Sequence, residues 1–123
     1  MQDLQTTLRA YGAAWLETDD DKRLAHLQTA LAADGLYQDP ASEARGRQAL
    51  NDLIAGFQSS NPGARIELTG GADGHHDRIR FAWRMVDGDG NERLRGIDCG
   101  RIDADGRLSE IIGFFGAQPP DDD

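Results

Sequence analysis

Residues 76–86, HDRIRFAWRMV, carry the clearest structural pattern in this chain. Apolar and basic side chains alternate along them, which is the period of a β-strand with one buried face and one solvated face. One face carries Ile79, Phe81, Trp83 and Met85, and the other carries Arg78, Arg80 and Arg84. The stretch therefore predicts a strand of an antiparallel sheet whose apolar face is covered by other elements.

Further strands are predicted on both sides of this one, at about residues 64–69, 92–103 and 108–116. The pair Gly70-Gly71 allows a bend or bulge after the first of them. Turns rich in Asp-Gly, at residues 87–90 and 103–106, predict two hairpins.

The first half of the chain is helical in pattern. The expected helices cover residues 3–18, the segment after Asp19-Asp20-Asp21, and residues 47–59, with apolar stripes at Leu4, Leu8, Tyr11 and Trp15, at Leu24, Leu27 and Leu31, and at Leu50, Leu53, Ile54 and Phe57. A short strand at 36–38, stopped by Pro40, lies between the second and third helices. This order predicts an α+β domain with helices on one face of a mainly antiparallel sheet.

Length and composition limit the classes of function. A chain of 123 residues fits one domain, expected over residues 1–118, followed by an acidic and disordered tail at 119–123. The formal charge of −9 argues against nucleic-acid binding and against docking on anionic membranes. The single cysteine, Cys99, excludes an internal disulfide, and the absence of a long apolar run predicts a soluble, cytoplasmic protein.

The environment of Asp98 depends on the register of the hairpin that precedes it. A two-residue turn at Asp89-Gly90 places Asp98 opposite Phe81, on the apolar face between Gly96 and Gly100, where burial would raise its pKa. A loop of three or five residues would instead place it beside Arg80 as an ordinary ion pair. The Asp-Gly pair favours the even loop.

Two more polar residues are candidates for the same space. Asp39, before Pro40, is either a turn aspartate or a general base at the mouth of a pocket. Tyr11 is either an amphipathic core residue or a hydrogen-bond donor in the pocket. The expected ligand-binding walls are formed by Trp15, Tyr37, Phe57, Phe81, Trp83, Ile111 and Phe115, with His75 at the rim.

No metal or cofactor is expected, because His75 and His76 are adjacent on a strand and point to opposite faces. The outer sheet face is cationic, with Cys99 among its arginines. This face is either solvated or the interface of a homodimer. Its arginines are Arg78, Arg80, Arg84, Arg93, Arg95 and Arg101.

This combination of segments resembles the NTF2-like (SnoaL-like) α+β cone over most of the chain, from about residue 4 to 116. The resemblance is carried by residues 36–40 (LYQDP) with Gly46-Arg47, by Gly96-Ile97-Asp98, and by residues 105–116 (DGRLSEIIGFFG). It implies three N-terminal helices packed on a curved sheet.

Within that superfamily the site pattern is similar to ketosteroid isomerase. The resemblance implies that Asp39 removes a proton alpha to a carbonyl, while Tyr11 and a protonated Asp98 stabilise the enolate oxygen. The second tyrosine of that family's site, on the third helix, is replaced here by Ile54.

Three hypotheses follow. The chain is a cofactor-independent isomerase or cyclase for a small hydrophobic carbonyl compound, a non-catalytic binder of such a molecule, or a dimerisation module. The enzyme hypothesis requires that Asp39 and Asp98 lie on the same face of the sheet.

Overall fold

The computed structural model describes residues 1–116, 118 and 119, so the predicted tail lies outside the described residues except for Pro119. The elements are α1 (Leu4–Leu16), α2 (Asp20–Ala30), β1 (Leu31–Asp39), β2 (Ser42–Arg45), α3 (Arg47–Ser60), β3 (Arg65–His75), β4 (Arg78–Val86), β5 (Glu92–Ile102) and β6 (Leu108–Phe115). Within the described part of the chain, the strands form one sheet in the order β2-β1-β6-β5-β4-β3. The expected α+β architecture of three helices on a sheet is confirmed.

The first two helices each have an aspartate as the N-cap residue. Asp3 accepts a hydrogen bond from the backbone N–H of Thr6 at 2.7 Å, and Asp19 accepts one from that of Lys22 at 2.9 Å. Each bond satisfies a donor that the first helical turn leaves free. Asp19, the first residue of the acidic cluster 19–21, is therefore the N-cap of α2.

The strand predicted at residues 36–38 is longer than expected. β1 begins at Leu31, which the sequence pattern placed on the stripe of the second helix, and pairs in parallel with β6 from the Leu31–Leu108 contact onward. β2, which was not predicted, pairs with β1 around Pro40, with Asp39 opposite Ser42. Its four residues show no apolar alternation, so only the pairing with β1 identifies it as a strand.

The register of β4 and β5 agrees with the even-loop prediction, because Phe81 lies opposite Asp98. The loop itself differs: Asp87 and Asn91 close a three-residue turn in which Gly90 has φ 87°. A β-bulge follows, because the register shifts between Met85 and Val86. The bulge adds one residue to β5 and restores the pairing that a two-residue turn would give.

A closed core fills one end of the molecule and fixes the helices over the sheet. Its most deeply buried apolar side chains are Leu27, Leu31, Leu50, Ile54, Leu108 and Ile111. The buried Arg23 guanidinium donates to the backbone oxygen of Glu17, to Asn51 and to Gln58, and so joins the end of α1 to α2 and α3. Within the described residues, none of the helices is long and apolar enough to cross a membrane.

Candidate functional site

The helices do not cover the whole inner face of the sheet, and a cavity of about 350 Å³ remains between them. Its volume lies near the lower end of the range for small-molecule pockets. The residues lining it are Tyr11, Trp15, Tyr37, Asp39, Ala41, Ser42, Leu53, Gly56, Phe57, Ser60, Ile66, Leu68, Trp83, Met85, Leu94, Asp98 and Phe115. Both aspartates therefore face the same cavity, as the enzyme hypothesis requires.

Asp39 is half-buried at the end of β1 and is held by two hydrogen bonds. The Tyr37 hydroxyl donates to its Oδ2 at 2.6 Å, and the backbone N–H of Ala41 donates to its Oδ1 at 2.8 Å. Pro40 and the β1–β2 turn place that N–H two residues beyond the carboxyl group. A carboxylate accepts up to about four hydrogen bonds, so acceptor capacity remains for a ligand.

Asp98 is 5% exposed and lies on β5 under the helices. Burial raises its pKa to about 7, and the negative charge of Asp39 contributes to the rise. The nearby donor groups of Trp83 and Tyr11 oppose this rise, because both stabilise the ionised form. A substantial fraction of Asp98 is therefore protonated at neutral pH and able to donate a hydrogen bond.

The two tyrosines of the cavity remain protonated at physiological pH. Burial raises the pKa of Tyr11 well above its usual value, and the nearby Asp98 raises it further. Burial also raises the pKa of Tyr37, as does its hydrogen bond to Asp39. Both phenols are therefore neutral, but the single hydroxyl proton of Tyr37 is already donated to Asp39.

Two glycines shape the floor of the cavity. Gly113 lies opposite Asp98 on β6, and a Cβ atom there would approach the Oδ1 of Asp98 to 2.7 Å. Gly96 lies under the indole of Trp83, whose ring occupies the space that a Cβ atom would need. The indole of Trp83 thus fills the space that the missing side chain of Gly96 leaves beside Asp98.

Eight of the residues predicted for the site lie around this cavity: Tyr11, Trp15, Tyr37, Asp39, Phe57, Trp83, Asp98 and Phe115. The aliphatic part of the lining was not predicted. Leu53 and Met85 already belonged to apolar stripes in the sequence, and Leu68 and Leu94 lie within the strands predicted at 64–69 and 92–103.

Three predicted lining residues lie elsewhere. Phe81 points to the inner face, but the ring of Tyr11 packs edge-on against it at 5.6 Å, and it belongs to the core. Ile111 is fully buried in the same core. His75 is exposed and lies opposite Arg78, on the outer face, because the two-residue turn at His76 and Asp77 reverses the expected parity.

The outer face carries a wider groove of about 800 Å³, lined in part by Arg80, Ile97, Cys99 and Phe114. Its arginine is already paired: Arg80 binds Asp73 at 2.7 Å. The register of β4 and β5 places Asp98 opposite Phe81 and Arg80 opposite Cys99, on the other face, so the predicted alternative of an ion pair between Arg80 and Asp98 is excluded. Within the described part of the chain, no group of three His, Cys, Asp or Glu side chains is arranged to hold a metal ion.

Sequence comparison identifies a family for this chain. The model of the SnoaL-like domain family matches residues 8–111. No curated protein matches the chain.

Solved structures with the same fold support this match. A candidate isomerase of the SnoaL-like family from Agrobacterium tumefaciens is 32% identical, with a TM-score of 0.85, over 95% of this chain and 100% of that one. A candidate polyketide cyclase from Sinorhizobium meliloti is 15% identical, with a TM-score of 0.68, over 87% and 92% of the two chains. An NTF2-like protein of unknown function from Exiguobacterium is 16% identical, with a TM-score of 0.66, over 94% and 98%. The last two likenesses show the fold alone, and the predicted NTF2-like cone is confirmed.

Proposed function

This chain belongs to the SnoaL-like domain family, and on that premise we propose that it enolises a small hydrophobic carbonyl compound without a cofactor. In this proposal Asp39 is the base, and Tyr11 and protonated Asp98 are the donors to the enolate oxygen. The observation that carries the proposal is the presence of two carboxyl groups with different environments in one largely apolar cavity. Such pairs separate the roles of acid and base.

Asp39 suits the role of base because its carboxylate is oriented but not enclosed. Tyr37 and the N–H of Ala41 each donate a hydrogen bond to one of its oxygens, and together they fix the orientation of the carboxyl group. The remaining acceptor positions can take a proton from a ligand carbon in the cavity. The half-buried position of Asp39 gives that ligand access.

Asp98 and Tyr11 suit the role of oxyanion donors because both are buried and both lie in the same part of the cavity. Negative charge that develops on a carbonyl oxygen in such a water-poor site is strongly stabilised by preorganised donors. With a pKa of about 7, Asp98 supplies a proton-bearing oxygen in a large part of the population at neutral pH. Tyr11 supplies its hydroxyl at every physiological pH.

The proposed reaction conserves all atoms. A proton passes from the carbon alpha to the carbonyl to Asp39, and the electron pair of that C–H bond moves to the carbonyl oxygen as an enolate. In a β,γ-unsaturated ketone the product of this step is a dienolate, and Asp39 then returns the proton to the γ carbon while the enolate electron pair forms the α,β double bond, which gives the conjugated isomer. In a cyclase the enolate carbon would instead form a bond to a second carbonyl group, whose oxygen takes up the proton. The candidate isomerase among the similar structures favours the first outcome.

The test follows conjugated-enone absorbance from two β,γ-unsaturated ketones, 3-cyclohexen-1-one and a ketosteroid, with wild type and Asp39→Asn. Deuterium exchange at the alpha carbon of 1-decalone, followed by NMR, detects enolisation without isomerisation. We expect catalysed exchange or isomerisation by wild type and its loss in Asp39→Asn. Binding of the ketones without either reaction would contradict the enzyme and favour the non-catalytic binder.

The outer sheet face supports a second proposal, that the chain forms a homodimer through this face. Phe114 is 55% exposed there, beside Ile97 and the exposed Cys99. Exposed apolar patches of this kind mark contact surfaces, and a second copy would cover this one. Light scattering over a dilution series should give twice the monomer mass for wild type and the monomer mass for Phe114→Asp. A monomeric wild type at micromolar concentration would contradict the dimer.

A further inference from the structure

The charges of the cavity are of one sign. Among the lining residues that the structure describes, the charged side chains are Asp39 and Asp98, and the set includes no lysine, arginine or histidine. The chain as a whole has a formal charge of −9. A ligand carboxylate or phosphate in this cavity would lose its hydration without gaining a counter-charge, which is costly.

Aromatic rings form much of the wall of the cavity. Trp15 lies 6.0 Å from both Tyr37 and Phe57, measured between ring centroids, and so joins α1, β1 and α3 into one aromatic group. Trp83 and Phe115, also 6.0 Å apart, form a second group on the sheet. Aromatic faces and edges of this kind pack well against a planar ring system.

Three polar side chains of the cavity are deeply buried. Tyr11, Tyr37 and Asp98 are each 6% exposed or less, whereas Ala41 and Ser60, which also line the cavity, are exposed to solvent. A ligand carbonyl that accepts hydrogen bonds from Tyr11 and Asp98 therefore lies in the buried part of the cavity. The apolar body of the ligand then lies among the aromatic rings.

We propose that the cavity takes uncharged cyclic ketones of one or two fused rings and excludes the corresponding carboxylates. This inference rests on the proposed function for the orientation of the carbonyl group. The exclusion of anions rests only on the charges of the lining, and the preference for small fused rings rests on the volume of about 350 Å³ and on the aromatic walls.

The chain contains its own reporter for this proposal. It has two tryptophans, Trp15 and Trp83, and both line the cavity, so intrinsic fluorescence responds to a bound ligand. Suitable probes are 2-tetralone and 1,2,3,4-tetrahydronaphthalene-2-carboxylate, which share a bicyclic frame and differ in charge. Excitation at the red edge of the indole band avoids absorption by the probes.

At pH 8 we expect 2-tetralone to bind wild type at least tenfold more tightly than the carboxylate. Asp39→Asn removes one negative charge from the cavity and should narrow this ratio several-fold, and Asp98→Asn should act in the same direction. Asp52→Asn makes the same charge change on an exposed residue of α3 and should leave the ratio unchanged.

The outcomes test the ligand class separately from the proposed enolisation. Equal binding of the two probes, tighter binding of the carboxylate, or failure of both to bind would overturn the ligand class. Binding of 2-tetralone with the expected selectivity, but without ketone turnover or proton exchange in the earlier assays, would contradict the enzyme and leave the ligand class intact. An unchanged ratio in both cavity variants would show that their charges do not set the selectivity.

Discussion

Asp39 and Asp98 both lie next to the position that a side chain of Gly113 would occupy. A Cβ atom on Gly113 would lie 2.7 Å from the Oδ1 of Asp98 and 3.4 Å from the Cβ of Asp39. The strand order explains this geometry, because β6 lies between β1, which carries Asp39, and β5, which carries Asp98. The two carboxyl groups therefore approach each other across a position that holds no side chain.

Gly113→Ala should disturb both acids at once. The new methyl group collides with the buried carboxyl of Asp98, and overpacking of this kind costs about 1–3 kcal/mol of unfolding free energy. We expect this loss in urea denaturation, together with loss of any ketone turnover. Gly56→Ala is the matched control, since it also lines the cavity but has nothing within 4 Å of its Cβ position. In the helix α3 that change should stabilise by about 0.5–1 kcal/mol. A Gly113→Ala protein as stable as wild type would show that the contact is relieved by a small shift.

Part of the site could be predicted from the sequence. The alternation of β4 placed Trp83 on the inner face, and the hairpin register placed Asp98 there too. The correct register arose in a different way from the expected one, because a three-residue turn and a bulge compensate each other. Asp-Gly sequences fit both turns, so the local sequence could not choose between them.

Other features depend on tertiary contacts that no local pattern encodes. Leu31 continues a helical stripe but forms the first residue of β1, because pairing with β6 outweighs helix propensity. His75 lies on the outer face of the sheet and not at the rim of the cavity, because of a turn at His76 and Asp77 that the sequence pattern did not predict. The hydrogen bond from Tyr37 to Asp39 joins two residues of the same strand. Its geometry depends on the pairing of β1 with β2, which the sequence pattern did not predict.

Tyr37→Phe should reduce catalysis while preserving the cavity wall. The change removes the hydroxyl that holds Oδ2 of Asp39 but keeps the aromatic ring beside Trp15. Because this hydrogen bond orients the base, we expect kcat to fall on the order of tenfold and KM to change little. A tenfold fall in kcat corresponds to an increase of about 1.4 kcal/mol in the activation free energy. Steady-state kinetics on the ketone that wild type turns over measures both. Ser42→Ala removes a different hydroxyl from the lining and should leave kcat unchanged; an equal loss there would mean that the effect is not specific to Asp39.

Arg23→Met should destabilise the fold away from the cavity. The guanidinium is 1% exposed, and its loss leaves the side-chain oxygens of Asn51 and Gln58 without this donor, whereas the backbone oxygen of Glu17 keeps the hydrogen bond from Gln58 Nε2. Unsatisfied buried acceptors cost about 1–3 kcal/mol each before relaxation, so we expect a loss of about 2–3 kcal/mol in chemical denaturation. Lys22→Met, on the same helix but exposed, should change stability by less than about 0.5 kcal/mol. A similar small effect for both variants would contradict a structural role for Arg23.

Asp98→Asn should change how stability depends on pH. The pKa of Asp98 rises from 3.8 to about 7 on folding, so between these values the folded state binds a proton that the unfolded state does not. The stabilisation by this group is therefore complete below about pH 4 and is lost as pH rises through 7, by an amount on the order of 4 kcal/mol. Asn cannot titrate, so the difference in unfolding free energy between variant and wild type should shift in favour of the variant from pH 4.5 to 8. Urea denaturation across this range measures it, with Asp52→Asn as an exposed control that should run parallel to wild type. A difference that does not vary with pH would mean that Asp98 is ionised in the folded protein throughout the range.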